Sequence, residues 1–232
     1  MKKFLATLLV GAVSVAGVLG FTACGGDEGE TPDGTDKEVV TTVTAKEWEV
    51  AMALPYDGKH NVQFKAIEQK FPGDGSTVVN IWYGYFDVAN EANYYERGNM
   101  DEATEYTIRE RDYCWKSGDK YYGIGRFWGE KQEISKADYE NNLKDKFDYF
   151  DVNRVFPGIS EKYNEFSYDE ASKEYKLTER GMDYTVKFEN GKLIKYTDVR
   201  TNGTIDTLEI KYENVKITIP QDILNAPVSK ED

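Results

Sequence analysis

The sequence predicts an α+β fold, a single large curved antiparallel β-sheet of half-barrel form, with about ten strands packed against two or three helices. Three observations lead there. Apolar and polar residues alternate with period two over most of the stretch from Asn61 to Ile219, broken by two helical segments. Turn pairs punctuate the chain, most clearly Asn190-Gly191 and Asn202-Gly203, two type I′ hairpin signals. No regular exchange of strand and helix, as a parallel sheet needs, is present, and no internal repeat of fixed period. A sheet this wide cannot stay flat, because strand twist accumulates, so it must curl around apolar material.

The elements follow in order. Thr44 to Glu47 fits a capping box, and Trp48, Ala51 and Met52 follow at helical spacing, so residues 45–53 should form a short amphipathic helix that Pro55 stops. Val62, Phe64 and Ala66 then alternate with polar neighbours as far as Pro72-Gly-Asp-Gly75. Residues 77–88 read as a strand with Val79, Ile81, Tyr83 and Tyr85 on one face and Val78, Trp82, Phe86 and Val88 on the other. Further strands are predicted at 92–97, 104–115 and 121–128, the last two joined at Ser117-Gly118-Asp119. Ser135 caps a helix over 136–149 whose apolar stripe is Tyr139, Leu143, Phe147 and Phe150. A shorter helical or irregular piece runs to Tyr163. Strands at 164–168, 174–179, 182–189 and 192–201 lead to one carrying Leu208, Ile210 and Tyr212, and Val215, Ile217 and Ile219 close the sheet at Pro220.

The first residues read as an address. Met1, Lys2 and Lys3 precede residues 4–23, which carry no charge, as in a signal peptide's basic and apolar regions. The run is also long enough for an uncleaved membrane helix. Its ending, Phe21-Thr22-Ala23-Cys24-Gly25-Gly26, resembles a bacterial lipoprotein lipobox, with Phe21 where Leu is usual. The resemblance implies diacylglycerol on the Cys24 thiol and removal of residues 1–23, which anchors the chain on the extracytoplasmic face of the cell membrane. A plain membrane anchor or secretory signal would export the remainder equally. Residues 24–41 then form an acidic Gly-rich tether, residues 42–225 a single domain, and residues 226–232 a tail.

Charge and composition remove several function classes. The 232 residues carry 29 Lys and Arg against 42 Asp and Glu, a net charge of -13, with no basic stripe, so nucleic acid is not an expected partner. One His and two Cys exclude His-rich or Cys-rich metal sites and disulfide frameworks, and no metal or cofactor is expected. His60, beside Lys59 in a loop, reads as solvated, and Cys114 as a small buried hydrophobe. Gly123-Ile-Gly125 lacks the Lys-Ser/Thr and the helix of a phosphate loop, so its glycines serve a bulge or close packing. The acids Asp169-Glu170 and Asp148 with Asp151 lack the spacing of a calcium loop. No carboxylate pair stands out as a glycosidase site.

Aromatics at 14%, with 17 Tyr and 4 Trp, are the feature left to explain. Trp48, Trp82, Trp115 and Trp128, with Tyr83, Phe86 and Phe127, suffice for a core, yet Trp82-Tyr83 and Phe127-Trp128 put rings on both faces of their strands. The order of lipobox, tether, amphipathic helix, long strands, helical insertion and final hairpins, with Tyr184 to Leu193 as the penultimate hairpin and Lys216 to Pro220 as the end, resembles the LolA/LppX-like half-barrel lipoproteins. That resemblance implies a concave sheet face holding acyl chains or lipid under a helical lid, without catalysis. On this basis the chain is expected to be a non-enzymatic, membrane-anchored protein binding a lipid or other hydrophobic ligand in a sheet–helix cleft lined by Trp48, Met52, Trp82, Phe86 and Trp115. The alternatives are a surface adhesin or a carbohydrate- or protein-binding module using exposed aromatics, an assembly factor docking another envelope protein, and a hydrolase.

Overall fold

The structure, a computed structural model, describes residues 39–53, 61–71, 76–100, 106–126, 129–148, 150–213 and 215–229. Eleven strands make one antiparallel sheet: β1 (Val62–Lys70), β2 (Val78–Asp87), β3 (Ala92–Met100), β4 (Tyr106–Ser117), β5 (Lys120–Gly125), β6 (Gly129–Ile134), β7 (Ser167–Asp169), β8 (Glu174–Glu179), β9 (Met182–Glu189), β10 (Lys192–Val199) and β11 (Ile205–Lys211). Their spatial order is β6-β5-β4-β3-β2-β1-β11-β10-β9-β8-β7. Two meanders therefore meet in the middle, where the first strand pairs with the last, and β6 and β7 stand at the two edges. The sheet is open and the fold is the expected α+β half-barrel.

The helices α1 (Ala45–Ala53), α2 (Lys136–Asp148) and α3 (Val152–Val155) lie on one face, called inner here. Both longer helices begin as their capping signals require. The Thr44 backbone N–H and hydroxyl donate to Glu47 Oε2 at 2.7 and 2.8 Å, and Ser135 does the same with Asp138. A type I′ pair at Asn190-Gly191, with φ of 51° and 75°, makes the β9–β10 turn. The second Asn-Gly does otherwise. It lies in a longer loop closed by Arg200 N–H donating to Gly203's neighbour Thr204 O at 2.8 Å, and the other two-residue positive-φ pair is Arg180-Gly181, where no Asn signals it.

Two strand expectations are corrected. Residues 129–134 form the edge strand β6, and Val215, Ile217 and Ile219 do not close the sheet. The reason is topological: β11 already has β1 on one side and β10 on the other, so no edge remains for the chain to extend. The segment instead passes to the outer face, where Asp87 accepts from Ile217 N–H at 3.3 Å and Lys131 Nζ donates to Leu224 O at 2.6 Å beside the short helix α4 (Gln221–Asn225). Ser229 N–H donates to Lys131 O at 2.7 Å, so the expected tail is tied down at least that far. At the other end Asn190 N–H donates to Val40 O at 2.7 Å and Thr41 shares a hydrogen bond with Tyr168, so these last residues of the expected tether already belong to the body.

The inner-face core is aromatic. Trp48 is fully enclosed by Tyr163, Phe166, Tyr175 and Phe188, with ring centroids 4.8–5.9 Å away, and its indole N–H donates to Ile159 O at 2.9 Å. Phe64 stacks on Phe150 at 4.9 Å, above Gly84, where a Cβ would stand 2.6 Å from the Phe150 ring. The inward face of α2 is less apolar than its stripe suggested. Asn142 and Lys146 are buried there, and Lys146 Nζ lies 2.7 Å from Asp112 Oδ2 and 3.9 Å from the Tyr95 ring centroid.

Two stability outcomes follow. Gly84→Ala should destabilise by about 1–3 kcal/mol through overpacking against Phe150, read by urea unfolding. Lys146→Met alone should cost about 3–5 kcal/mol by leaving Asp112 a buried charge, whereas Lys146→Met with Asp112→Leu should recover most of it.

Candidate functional site

The structure divides the five residues predicted to line one cleft. Trp48, Met52 and Phe86 are buried on the inner face among the protein's own rings, with Phe147 stacked on Phe86 at 4.1 Å. Trp82 is on the same face at the margin of that core, partly exposed, with the Arg97 guanidinium 5.4 Å from its ring. Trp115 is on the outer face, packed with Tyr113, Tyr122, Ile217 and Ile219. One residue of phase separates the two sets, since alternate residues of a strand face opposite ways. Cys24, His60, Phe127 and Trp128 lie outside the described residues. Cys114 is buried, with its thiol 3.4 Å from Asn142 Oδ1. Gly125 has φ of 128° at an irregularity in the β5–β6 pairing, where a Cβ would stand 2.2 Å from Arg111 O, which accounts for that glycine as a packing requirement. Asp169 accepts from Lys176 and from the turn N–H groups of Ala171 and Ser172, which in that order hold its carboxyl down to about 2.

The outer face of β2, β3 and β4 carries a field of tyrosines. Tyr83 and Tyr85 stand 6.2 Å apart on one strand, Tyr85 lies 5.6 Å from Tyr94, Tyr106 meets Tyr83 edge-on at 6.2 Å, and Tyr94 lies 4.6 Å from Tyr113. All but Tyr113 are partly exposed. At the centre the Glu96 carboxylate accepts from the Tyr94 and Tyr106 hydroxyls and from Arg111, whose Nε and Nη2 reach the same oxygen at 3.2 and 3.0 Å. Burial and the Glu96 charge push the Tyr94 and Tyr106 hydroxyls far above the usual phenol range, and burial pushes Tyr85 up to about 12. The rings are thus neutral hydrogen-bonding groups at every ordinary pH. Tyr106 lies over Gly98, where a Cβ would stand 2.5 Å from its ring, so the glycine is what lets the ring lie flat on the sheet.

The inner face bears a second polar feature that the sequence analysis passed over. Glu68 pairs with Asp206 across β1 and β11, and Asp206 pairs with Asp198 across β11 and β10, so three carboxylates stand in one row on the helix-bearing face. Tyr184 continues the row on β9 and Asn80 on β2, where its amide donates to Glu68 at 3.0 Å. Arg200 spans Asp198, at 3.4 Å, and Asp206. Asp198 is buried, and its Oδ2 and the buried Tyr196 hydroxyl each have no hydrogen-bond partner among the described residues. Burial first, and then Asp206, pushes the Asp198 carboxyl up to about 6 against the opposing pull of Arg200, and burial raises Asp206 as well. The signal was present: Glu68 is in phase with Val62, Phe64 and Ala66, Asp206 with Leu208 and Ile210, and Asp198 with Tyr196.

Among the described residues no group of three or more His, Cys, Asp or Glu is placed to hold a metal ion, and no helix is long and apolar enough to cross a membrane. The chain matches no protein-family model and no curated protein sequence.

Because the folded chain holds the Asp198 proton to higher pH than the unfolded chain does, this residue's contribution to stability is complete below the ordinary aspartate range and is lost as pH rises through about 6. Thermal unfolding should therefore show the wild type gaining about 1 kcal/mol more stability between about pH 7 and pH 5 than Asp198→Asn does.

Proposed function

We propose that this chain is a lipid-anchored extracytoplasmic binding module that presents the tyrosine field of β2–β4 to a carbohydrate ligand, without catalysis. The observation that carries the reading is the placement of Tyr83, Tyr85, Tyr94 and Tyr106, partly exposed and side by side around Glu96 and Arg111. A sugar offers C–H faces that stack on rings and hydroxyls that need hydrogen-bond partners, and a tyrosine surface supplies both. The Glu96 hub fixes the Tyr94 and Tyr106 hydroxyls before any ligand arrives, so less conformational freedom is lost on binding.

An apolar cleft on the inner face has less support, since Trp48, Met52 and Phe86 are already surrounded by the protein's own side chains. An acyl chain there would have to displace rings packed at 4.1–5.9 Å from their neighbours. The anchor rests on the run from Met1 to Gly26, with the acyl group on Cys24 and the acidic stretch after it as spacer.

Two measurements test the proposal. Radiolabelled palmitate should enter the wild-type chain and not Cys24→Ala when each is expressed in a bacterial host; equal labelling would remove the anchor. On a glycan array the purified protein should bind a restricted set of saccharides, and Tyr83→Ala with Tyr85→Ala should weaken that binding by about tenfold or more, corresponding to ~1.4 kcal/mol. Co-purified acyl chains with no glycan binding would overturn the carbohydrate reading in favour of a lipid cleft.

A further inference from the structure

The tyrosine field lies on the outer face, and the carboxylate row of the inner face plays no part in it. We propose that the row formed by Glu68, Asp206 and Asp198 on β1, β11 and β10, together with the Tyr196 hydroxyl, is a second binding site, and that it takes a small organic amine as its ammonium ion.

The site is built rather than merely acidic. Asp198 and Tyr196 are each only 2% exposed, yet Asp198 Oδ2 and the Tyr196 hydroxyl lack a hydrogen-bond partner among the described residues. They are two residues apart on β10 and face the same side of the sheet, and the charges of Asp198 and Asp206 both act on the Tyr196 hydroxyl. A buried carboxylate oxygen and a buried hydroxyl left unpaired are costly, so the position between them asks for a donor.

Charge selects the donor's class. Glu68, Asp206 and Asp198 bring three negative charges, while Arg200 on Asp198 and Asp206 and Lys70 on Glu68 bring two positive ones, so one negative charge is left over. An ammonium supplies that charge and up to three N–H donors. Shape selects against a metal ion. The three residues sit on adjacent strands about 4.8 Å apart, and among the described residues no group of three or more acids is placed to hold a metal ion.

The row grades toward solvent. Exposure rises from Asp198, whose side chain is 2% exposed, to Asp206 and Glu68 at 18% and 19%. Arg200, itself 42% exposed, bridges Asp198 and Asp206.

Calorimetric titration of the full chain in detergent with 1,4-diaminobutane, at about 0.15 M salt to screen diffuse attraction, tests the site. Saturable one-to-one binding is expected, weakened about tenfold or more in Asp198→Asn and severalfold in Tyr196→Phe, with 1,4-butanediol, which has the same length and no charge, not binding. Tyr196→Phe removes one oxygen and keeps the ring, so it serves if the Asp198 variant does not fold. No saturable binding of the diamine would overturn the proposal, leaving the two unpaired atoms to water. Equal binding by the diol would overturn the ammonium assignment, and unchanged binding in both variants would place the amine elsewhere on the acidic surface. Glycan-array binding is read on the other face, so either proposal can fail without the other.

Discussion

Twist in a wide antiparallel sheet forces one face to curl inward, and the apolar material on that face must be covered if the chain is to stay folded. In this protein the cover comes from the connection between the two edge strands. After β6 the chain returns across the inner face through α2, α3 and the short helical turns Ile159–Glu161 and Tyr163–Glu165 before it enters β7. Trp48 on α1 is where the N-terminal helix and that connection meet, with Ile159, Tyr163 and Phe166 from the connection and Tyr175 and Phe188 from the sheet gathered around it. The packing of this one indole links three parts of the chain that are far apart in sequence.

The outer face is managed differently on its two halves. Over β1, β9, β10 and β11 it carries mostly lysine, threonine and glutamate, such as Lys65, Lys187, Lys195 and Glu209, with Ile67, Val199 and Ile205 half-buried among them. Over β2 to β5 it is aromatic, and the segment after Val215 covers part of it, with Ile217, Ile219 and Ile223 on the Trp115 cluster and the buried Asp87 and Lys131 holding the segment in place. Next to that cluster, which Tyr94 joins, Tyr83, Tyr85, Tyr94 and Tyr106 stay partly open. The Tyr94 and Tyr106 hydroxyls answer to one carboxylate, Glu96, so these two open rings are ordered without being buried.

Polar groups also enter the inner face in two places, with different consequences. Under α2, Asp112 pairs with Lys146 and Asn142 with Cys114, a latch that sets how the helix lies on β4 and β5, although the buried Asn93 amide opposite Cys114 has no hydrogen-bond partner among the described residues. At the far end of the same face Asp198 and Tyr196 are left with unmatched atoms. Low local dielectric magnifies both outcomes, strengthening the matched pair and raising the cost of the unmatched one.

Much of the architecture was legible in the chain alone, because alternation, capping boxes and turn pairs act over a few residues. Thr44 with Glu47, Ser135 with Asp138, and Asn190-Gly191 each determined a local geometry, and the phase of Trp82 against Tyr83 determined that they face opposite ways. Which strands become neighbours depends on contacts between residues distant in sequence, and no local pattern encodes it. The pairing of β1 with β11 denied Val215 to Ile219 a place in the sheet, sent Trp115 under a different cover from Trp48, and brought Glu68 beside Asp206. Sequence alone decided the two sides of each ribbon; only the pairing of first strand with last decided what each side meets, because backbone ladders between remote segments are chosen by the burial of the whole sheet and not by either segment.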